Sequence, residues 1–75
     1  MKLKRWNHKT IDIEEYEVPN EWNVKNYSVD FSELVNCASC GVIIPYWGSY
    51  TSKEIYSTYG GGYAICKTCH KKEKF

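Results

Sequence analysis

Two Cys-x-x-Cys pairs constrain this chain more than any other feature in it. They are Cys37-Ala38-Ser39-Cys40, followed by Gly41, and Cys66-Lys67-Thr68-Cys69, and they contain all four cysteines of the sequence. Two intervening residues let one tight turn present both sulfurs to a single tetrahedral ion. The twenty-five residues from Gly41 to Ile65 are enough for the chain to double back and face the second pair to the first. The spacing therefore predicts one structural Zn2+ held by Cys37, Cys40, Cys66 and Cys69. Four thiolates also suit an iron centre.

Length makes some such staple necessary. A chain of 75 residues builds a core that supplies only a few kcal/mol, and small domains of this size usually add metal or disulfides. Disulfides are the competing reading. A bond within either pair would close a tiny loop and constrain the unfolded chain little. The start, Met1-Lys2-Leu3-Lys4-Arg5, runs into polar sequence instead of an apolar secretory segment, so a reduced, cytoplasmic setting is expected. No apolar run approaches the length that spans a bilayer.

Net charge is +1 but unevenly placed. Residues 1–10 carry +4, residues 11–35 carry −6, and residues 36–75 carry +3. This is not the strongly basic balance of a protein that relies on phosphate contacts. An acidic segment between basic ends suits a protein partner.

Along the chain, Ile11, Ile13, Tyr16 and Val18 alternate with acidic residues, so 6–18 reads as one strand with a β-bulge at Glu14–Glu15. Trp22, Val24, Tyr27, Val29 and Phe31 form a second alternating run, with a turn or bulge at Lys25–Asn26. Asp30 and Glu33 are spaced as a capping pair for one helical turn through Leu34 and Val35. Val42–Ile44 reads as a strand ending at Pro45, Trp47–Ser49 as a hairpin turn, and Tyr50–Tyr59 as the returning strand. Gly60–Gly62 is a further turn before Tyr63-Ala64-Ile65. Gly41 permits the positive φ of a zinc knuckle. Cys69 is followed by His70-Lys71-Lys72-Glu73, good helix formers without glycine, which places the second pair at the start of a short helix.

Knuckle, hairpin and helix-borne ligands, in that order, resemble the treble-clef zinc fingers. The resemblance covers about residues 35–75 and is carried by Cys37-Ala-Ser-Cys40-Gly41 and Ile65-Cys66-Lys67-Thr68-Cys69. It implies that the four cysteines are the metal ligands. It implies no single function, because that group includes ribosomal proteins, nuclease cores, ubiquitin-related binders and transcription factors. The chain is accordingly expected to be a small, β-rich α+β, zinc-stapled single domain over 1–75. Residues 1–34 form a β-rich extension and 35–75 the finger.

Catalysis is not expected. A closed four-thiolate shell leaves no position for water, and His8 and His70 are the only histidines. Cys66-Lys67-Thr68-Cys69-His70 also fits a c-type haem attachment motif, but that reading leaves Cys37 and Cys40 without a role.

Twelve aromatics exceed what one small core can bury. Trp6, Trp22 and Phe31 are expected inside. Trp47, Tyr50, Tyr56 and Tyr59, with Tyr46 and Tyr63, are expected to cluster on the hairpin, either as cross-strand pairs or as a partner-binding patch. Lys53, Lys67, Lys71 and Lys72 make the alternative surface, for nucleic acid. The expected role is a non-enzymatic recognition module, a small regulatory protein of bacterial or phage type that binds a protein partner. The alternative is a nucleic-acid-binding or transcription-associated finger. No membrane and no small-molecule substrate is expected.

Overall fold

The computed structural model describes residues 1–26, 30–57 and 61–74. Among the described residues there are eight elements: six strands, one 3-10 turn and one helix. Strands β1 (Lys2–Asn7) and β2 (Asp12–Glu17) form an antiparallel hairpin in unbroken register, from Lys2 opposite Glu17 to Asn7 opposite Asp12. The single bulged strand expected over 6–18 is therefore two strands. Asn7 makes the turn: its Oδ1 accepts the N–H groups of Lys9 (2.9 Å) and Thr10 (3.3 Å), and Ile11 takes φ +52°. Without a bulge, Glu14 shares a sheet face with Tyr16 and the buried Leu3. The cross-strand partner Arg5 makes this tolerable. Its Nε donates to Glu14 at 2.6 Å, and its guanidinium lies 4.5 Å from the Tyr16 ring centre.

The second alternating run does not form a strand within residues 22–26, and Tyr27 and Val29 lie outside the described residues. Trp22 and Val24 still pack on the core, from an irregular segment held by side chains. Asn36 Oδ1 accepts the Asn23 N–H (2.8 Å), and Asn23 Nδ2 donates to the Leu34 carbonyl (2.7 Å). The helical turn expected through Leu34 and Val35 gives way to a tight turn, in which the Asp30 carbonyl accepts the Glu33 N–H at 3.3 Å. Asp30 Oδ1 also accepts the Ser32 N–H at 3.0 Å, a local turn that delivers the chain into strand β3 (Leu34–Asn36). Glu33, freed from capping, pairs with Lys25.

β3 pairs antiparallel with β4 (Ile43–Pro45), and the first cysteine pair occupies the connection between them. A 3-10 turn over Tyr46–Gly48 follows where a hairpin turn was expected. It is not one, because Tyr46 and Trp47 donate their N–H groups to Glu33 and Phe31 (2.8 and 3.0 Å). Those bonds tie the chain to the segment before β3 and send it on to a second sheet. That sheet has the order β2-β1-β5-β6, with β5 at Tyr50–Tyr56 and β6 at Gly62–Ile65. The returning strand is therefore β6, and the N-terminal hairpin extends the same sheet.

β5 and β6 are out of step. Between the Thr51–Ala64 and Tyr56–Gly62 pairs, residues 52–55 of β5 face Tyr63 alone. Ser52 Oγ gathers the bulge by accepting the N–H groups of Glu54 and Ile55, at 3.1 and 2.8 Å. Gly62 is required opposite it, since a Cβ there would lie 2.5 Å from the Ser52 carbonyl oxygen.

Helix α1 (Lys67–Lys72) ends in a clamp on this bulge. The Glu73 carboxylate, buried to 7% exposure, accepts from Ser52 Oγ and from the N–H groups of Lys53 (3.0 Å) and Glu54 (3.1 Å). Glu54 reciprocates, accepting the Lys74 N–H at 2.8 Å and contacting His8 Nε2. Glu73→Ala is expected to cost about 2–3 kcal/mol by leaving charge-assisted donors unpaired, and Glu73→Gln less. Urea denaturation of the metal-loaded protein measures both.

The core is small. Leu3, Val18, Cys37, Ala38, Ile55, Ile65 and Cys69 form one cluster, covered by Tyr16, Trp22, Val24 and Tyr63. Trp6 is only half-buried, and Phe31 is 62% exposed, so neither belongs to the interior as expected. The reason is topological. Trp6 and Ile13 share the sheet face opposite Leu3, and Phe31 precedes β3, where its ring packs on Tyr46 instead of on the core cluster.

Candidate metal centre

The β3–β4 connection makes the first half of the site. Cys37 N–H donates to the Val42 carbonyl (2.8 Å) and Gly41 N–H to the Cys37 carbonyl (2.8 Å), closing a tight loop. Cys40 N–H then points at Cys37 Sγ (3.4 Å). The loop closes only because Gly41 takes φ +84°. Its missing side chain is also filled from outside: a Cβ at Gly41 would lie 2.4 Å from the Trp22 indole.

Helix α1 makes the second half by the same device. Cys66 is its N-cap, and Cys66 Sγ accepts the Cys69 N–H (3.5 Å). Each pair thus turns the N–H of its second cysteine toward the sulfur of its first. Two bonds bring the halves together. Ala38 N–H donates to Ala64 of β6 (2.9 Å), and the Tyr16 hydroxyl donates to the Ala38 carbonyl (3.0 Å). The N-terminal hairpin is therefore fastened to the knuckle.

One sulfur from each of the four cysteines lies within 4.8 Å of the others. Cys40 Sγ and Cys66 Sγ are 3.8 Å apart, the edge of a tetrahedron with metal–sulfur bonds of about 2.3 Å, which is about 3.8 Å long. No disulfide links them. The donor set fits a four-coordinate thiophilic ion. Such an ion, once bound, contributes folding free energy and offers no open position.

Ionisation is shared unequally among the thiols. Burial opposes charge on Cys37, yet N–H groups of Cys40, Cys66 and Ser39 outweigh it and bring this thiol down to about 7. Burial and the neighbouring sulfurs push Cys69 up to about 12. Cys40 is raised as well: the Val42 N–H favours its thiolate, but burial and the adjacent Cys37 and Cys66 sulfurs prevail. Four anions cannot share this space without a cation, so metal loading must release protons.

The aromatic residues singled out from the sequence are not gathered together. Trp47 is exposed in the 3-10 turn, Tyr50 stacks on His70 of α1 at 4.5 Å, and Tyr56 lines a separate cleft with Tyr63, Lys2 and Lys4. Tyr59 lies outside the described residues. The aromatic cluster expected on one hairpin is divided because β4 and β5 belong to different sheets. Lys53, Lys67, Lys71 and Lys72 are all exposed, three of them on α1 and Lys53 on the strand to which the end of α1 is clamped. Lys67 and Lys71 share a helix face by their spacing, Lys53 sits on the β5 bulge, and Lys72 borders a cleft with Arg5, Glu54 and Glu73.

Sequence reasoning missed the outer face of β3–β4. Leu34 opposes Pro45 and Asn36 opposes Ile43, so Leu34 and Ile43 share the face opposite the buried Val35. Trp47 follows in the 3-10 turn, while the Phe31 ring packs on Tyr46 with 5.8 Å between centroids. Leu34, Ile43 and Trp47 are 58–70% exposed. The signal was available: two three-residue apolar strands flanking a cysteine pair can bury only one of their two faces.

No protein-family model matches the chain, and neither the curated proteins nor the solved structures contain a match to it. Among the described residues, no helix is long and apolar enough to cross a membrane.

Proposed function

We propose that this protein is a non-enzymatic recognition module, stapled by one zinc ion and built on a treble-clef plan, that binds another polypeptide in a regulatory role. The order of its parts supports the plan: a glycine-closed knuckle, the β5–β6 hairpin, and a helix whose first turn carries the second cysteine pair. Zinc is the ion of choice because the four thiolates approach a tetrahedron and are anchored in a core too small to stand alone. The observation that carries the binding reading is the exposed pair Leu34 and Ile43 on the outer face of β3–β4, with Trp47 exposed in the turn that follows. The largest apolar patch on a monomer is often functional. Polypeptide is favoured over nucleic acid because the net charge is only +1 and Lys72 sits among carboxylates.

The test is affinity capture by the zinc-loaded protein and by Ile43→Glu, at low and high salt, with short DNA and RNA binding measured in parallel. The expected result is a polypeptide retained by the parent across the salt range and reduced at least roughly tenfold by Ile43→Glu. Nucleic-acid binding that falls steeply with salt and is abolished by Lys67→Glu with Lys71→Glu would replace this reading with the alternative.

A further inference from the structure

We infer that Cys40 and Cys66 are an oxidisable pair: a hydroperoxide converts them to one disulfide, which replaces the metal as the link between knuckle and helix. This rests on the reading of the four cysteines as metal-bound thiolates and is independent of what the β3–β4 face binds. The four ligands are not equivalent. Cys37 and Cys69 are buried members of the core cluster, Cys66 is half-buried and Cys40 is exposed. The two sulfurs nearer solvent therefore come one from each half of the site, and they lie 3.8 Å apart. Cys40 also borders an open cleft of about 220 Å3, beside Arg5, Ile65 and Lys72, with room for a small oxidant. Cys69 borders the same cleft but is buried. Moving the Cys40 sulfur disturbs little packing, because the knuckle is anchored ahead of it, by the Cys37 N–H on Val42 and the Ala38 N–H on Ala64.

A thiol that coordinates a metal is deprotonated outright, so Cys40 stands as an exposed thiolate. Exposure, thiolate character and a neighbouring second cysteine are the conditions under which peroxide oxidation is selective. The Cys40 sulfur attacks one oxygen of the peroxide and the O–O bond breaks; the hydroxide that leaves takes up a proton and departs as water. The Cys66 thiolate then attacks the sulfenic acid on Cys40, forming the S–S bond and expelling a second hydroxide, which is also protonated to water. Two thiolates have lost two electrons, and one peroxide has become two waters. With two donors consumed, Cys37 and Cys69 cannot complete a four-coordinate site, and their thiols stay buried as small apolar groups. The Cys40–Cys66 bond spans 26 positions and joins knuckle to helix, so it constrains the unfolded chain far more than a bond within either pair.

Hydrogen peroxide added to the full, zinc-loaded chain tests this, once its metal content has been measured. Released Zn2+, disulfide-mapped peptides and circular dichroism are followed together. The expected result is one Cys40–Cys66 disulfide per chain, one equivalent of Zn2+ released in step with it, and a strand signal retained where the reduced, chelated chain loses its own. Dithiothreitol with Zn2+ should restore the starting state. Before oxidation, limiting N-ethylmaleimide should label Cys40 at least roughly tenfold faster than Cys37 or Cys69. All of these readouts use the parent chain, so none depends on a variant that folds. Disulfides within the pairs or between chains, a Cys40–Cys69 bond, or sulfinic acid at Cys40 without a disulfide overturn the inference. So do thiols that stay reduced and metal-bound at millimolar peroxide, a Cys40 labelled no faster than the buried pair, and a Cys40–Cys66 bond in a chain that has lost its strand signal. Each of these leaves the metal-centred reading in place. A chain that holds no metal at the outset overturns both.

Discussion

Removing the metal from this protein is expected to unfold it, not to leave an empty site in a folded domain. Cys37 and Cys69 are members of the buried cluster, and Ala38, between two ligands, receives the Tyr16 hydroxyl and binds β6. Knuckle, helix and N-terminal hairpin therefore meet at the cysteines. Structural zinc contributes on the order of 10 kcal/mol to small domains, and a domain this size has about 5–15 kcal/mol to lose. Chelation under reducing conditions should abolish the far-ultraviolet strand signal and expose Trp22 to water. Cys37→Ser should behave as the chelated parent does. The loss should deepen toward acid. Cys40 and Cys69 hold their protons more tightly than an ordinary thiol, so metal must displace those protons, and its apparent affinity rises with pH.

The second large effect is expected at Gly41. A side chain there meets two penalties at once: a φ of +84° and a Trp22 ring carbon 2.4 Å from the new Cβ. Left-handed backbone costs an ordinary residue about 1–2 kcal/mol, and displacing a packed indole adds at least a comparable amount. Gly41→Ala should therefore cost about 3 kcal/mol and lower the thermal midpoint of the metal-loaded protein by more than about 10 °C. Gly48→Ala is the control. Its added Cβ meets only Pro45 Cγ at 3.5 Å, and its backbone is not in the strained region, so the midpoint should hardly move. Equal losses at the two glycines would refute the packing of Trp22 over the knuckle.

The cysteine half of the chain was legible because its chemistry is local. Cys37, Cys40 and Gly41 specify a turn within six residues, and Cys66 to Lys72 specify a capped helix within seven. The N-terminal half was not, because its side-chain pattern is ambiguous until partners are known. Glu14 broke the alternation and suggested a bulge, whereas Arg5, nine residues earlier, supplies the cation that lets it stay in register. The Lys2–Asn7 strand was hidden by its charges, since Lys2, Lys4 and Arg5 occupy a sheet where apolar residues were sought. Likewise, Val42–Ile44 and Tyr50–Tyr59 read as a hairpin because each is a good strand. What separates them is the pull of Glu33 and Phe31 on Tyr46 and Trp47, which no local pattern announces. Glu73 looked like one helix-forming residue among lysines, and its clamp on the β5 bulge depends on contacts some twenty residues away.

The most direct test of the metal-centred account is a titration of the reduced, metal-free chain with Co2+, followed by Zn2+, with visible absorption and circular dichroism recorded together. The account predicts one equivalent of Co2+, an intense thiolate-to-metal band with tetrahedral features, folding in step with that band, and displacement by one equivalent of Zn2+. A chain already folded before any metal is added, or one that binds Co2+ without a thiolate band, would contradict it.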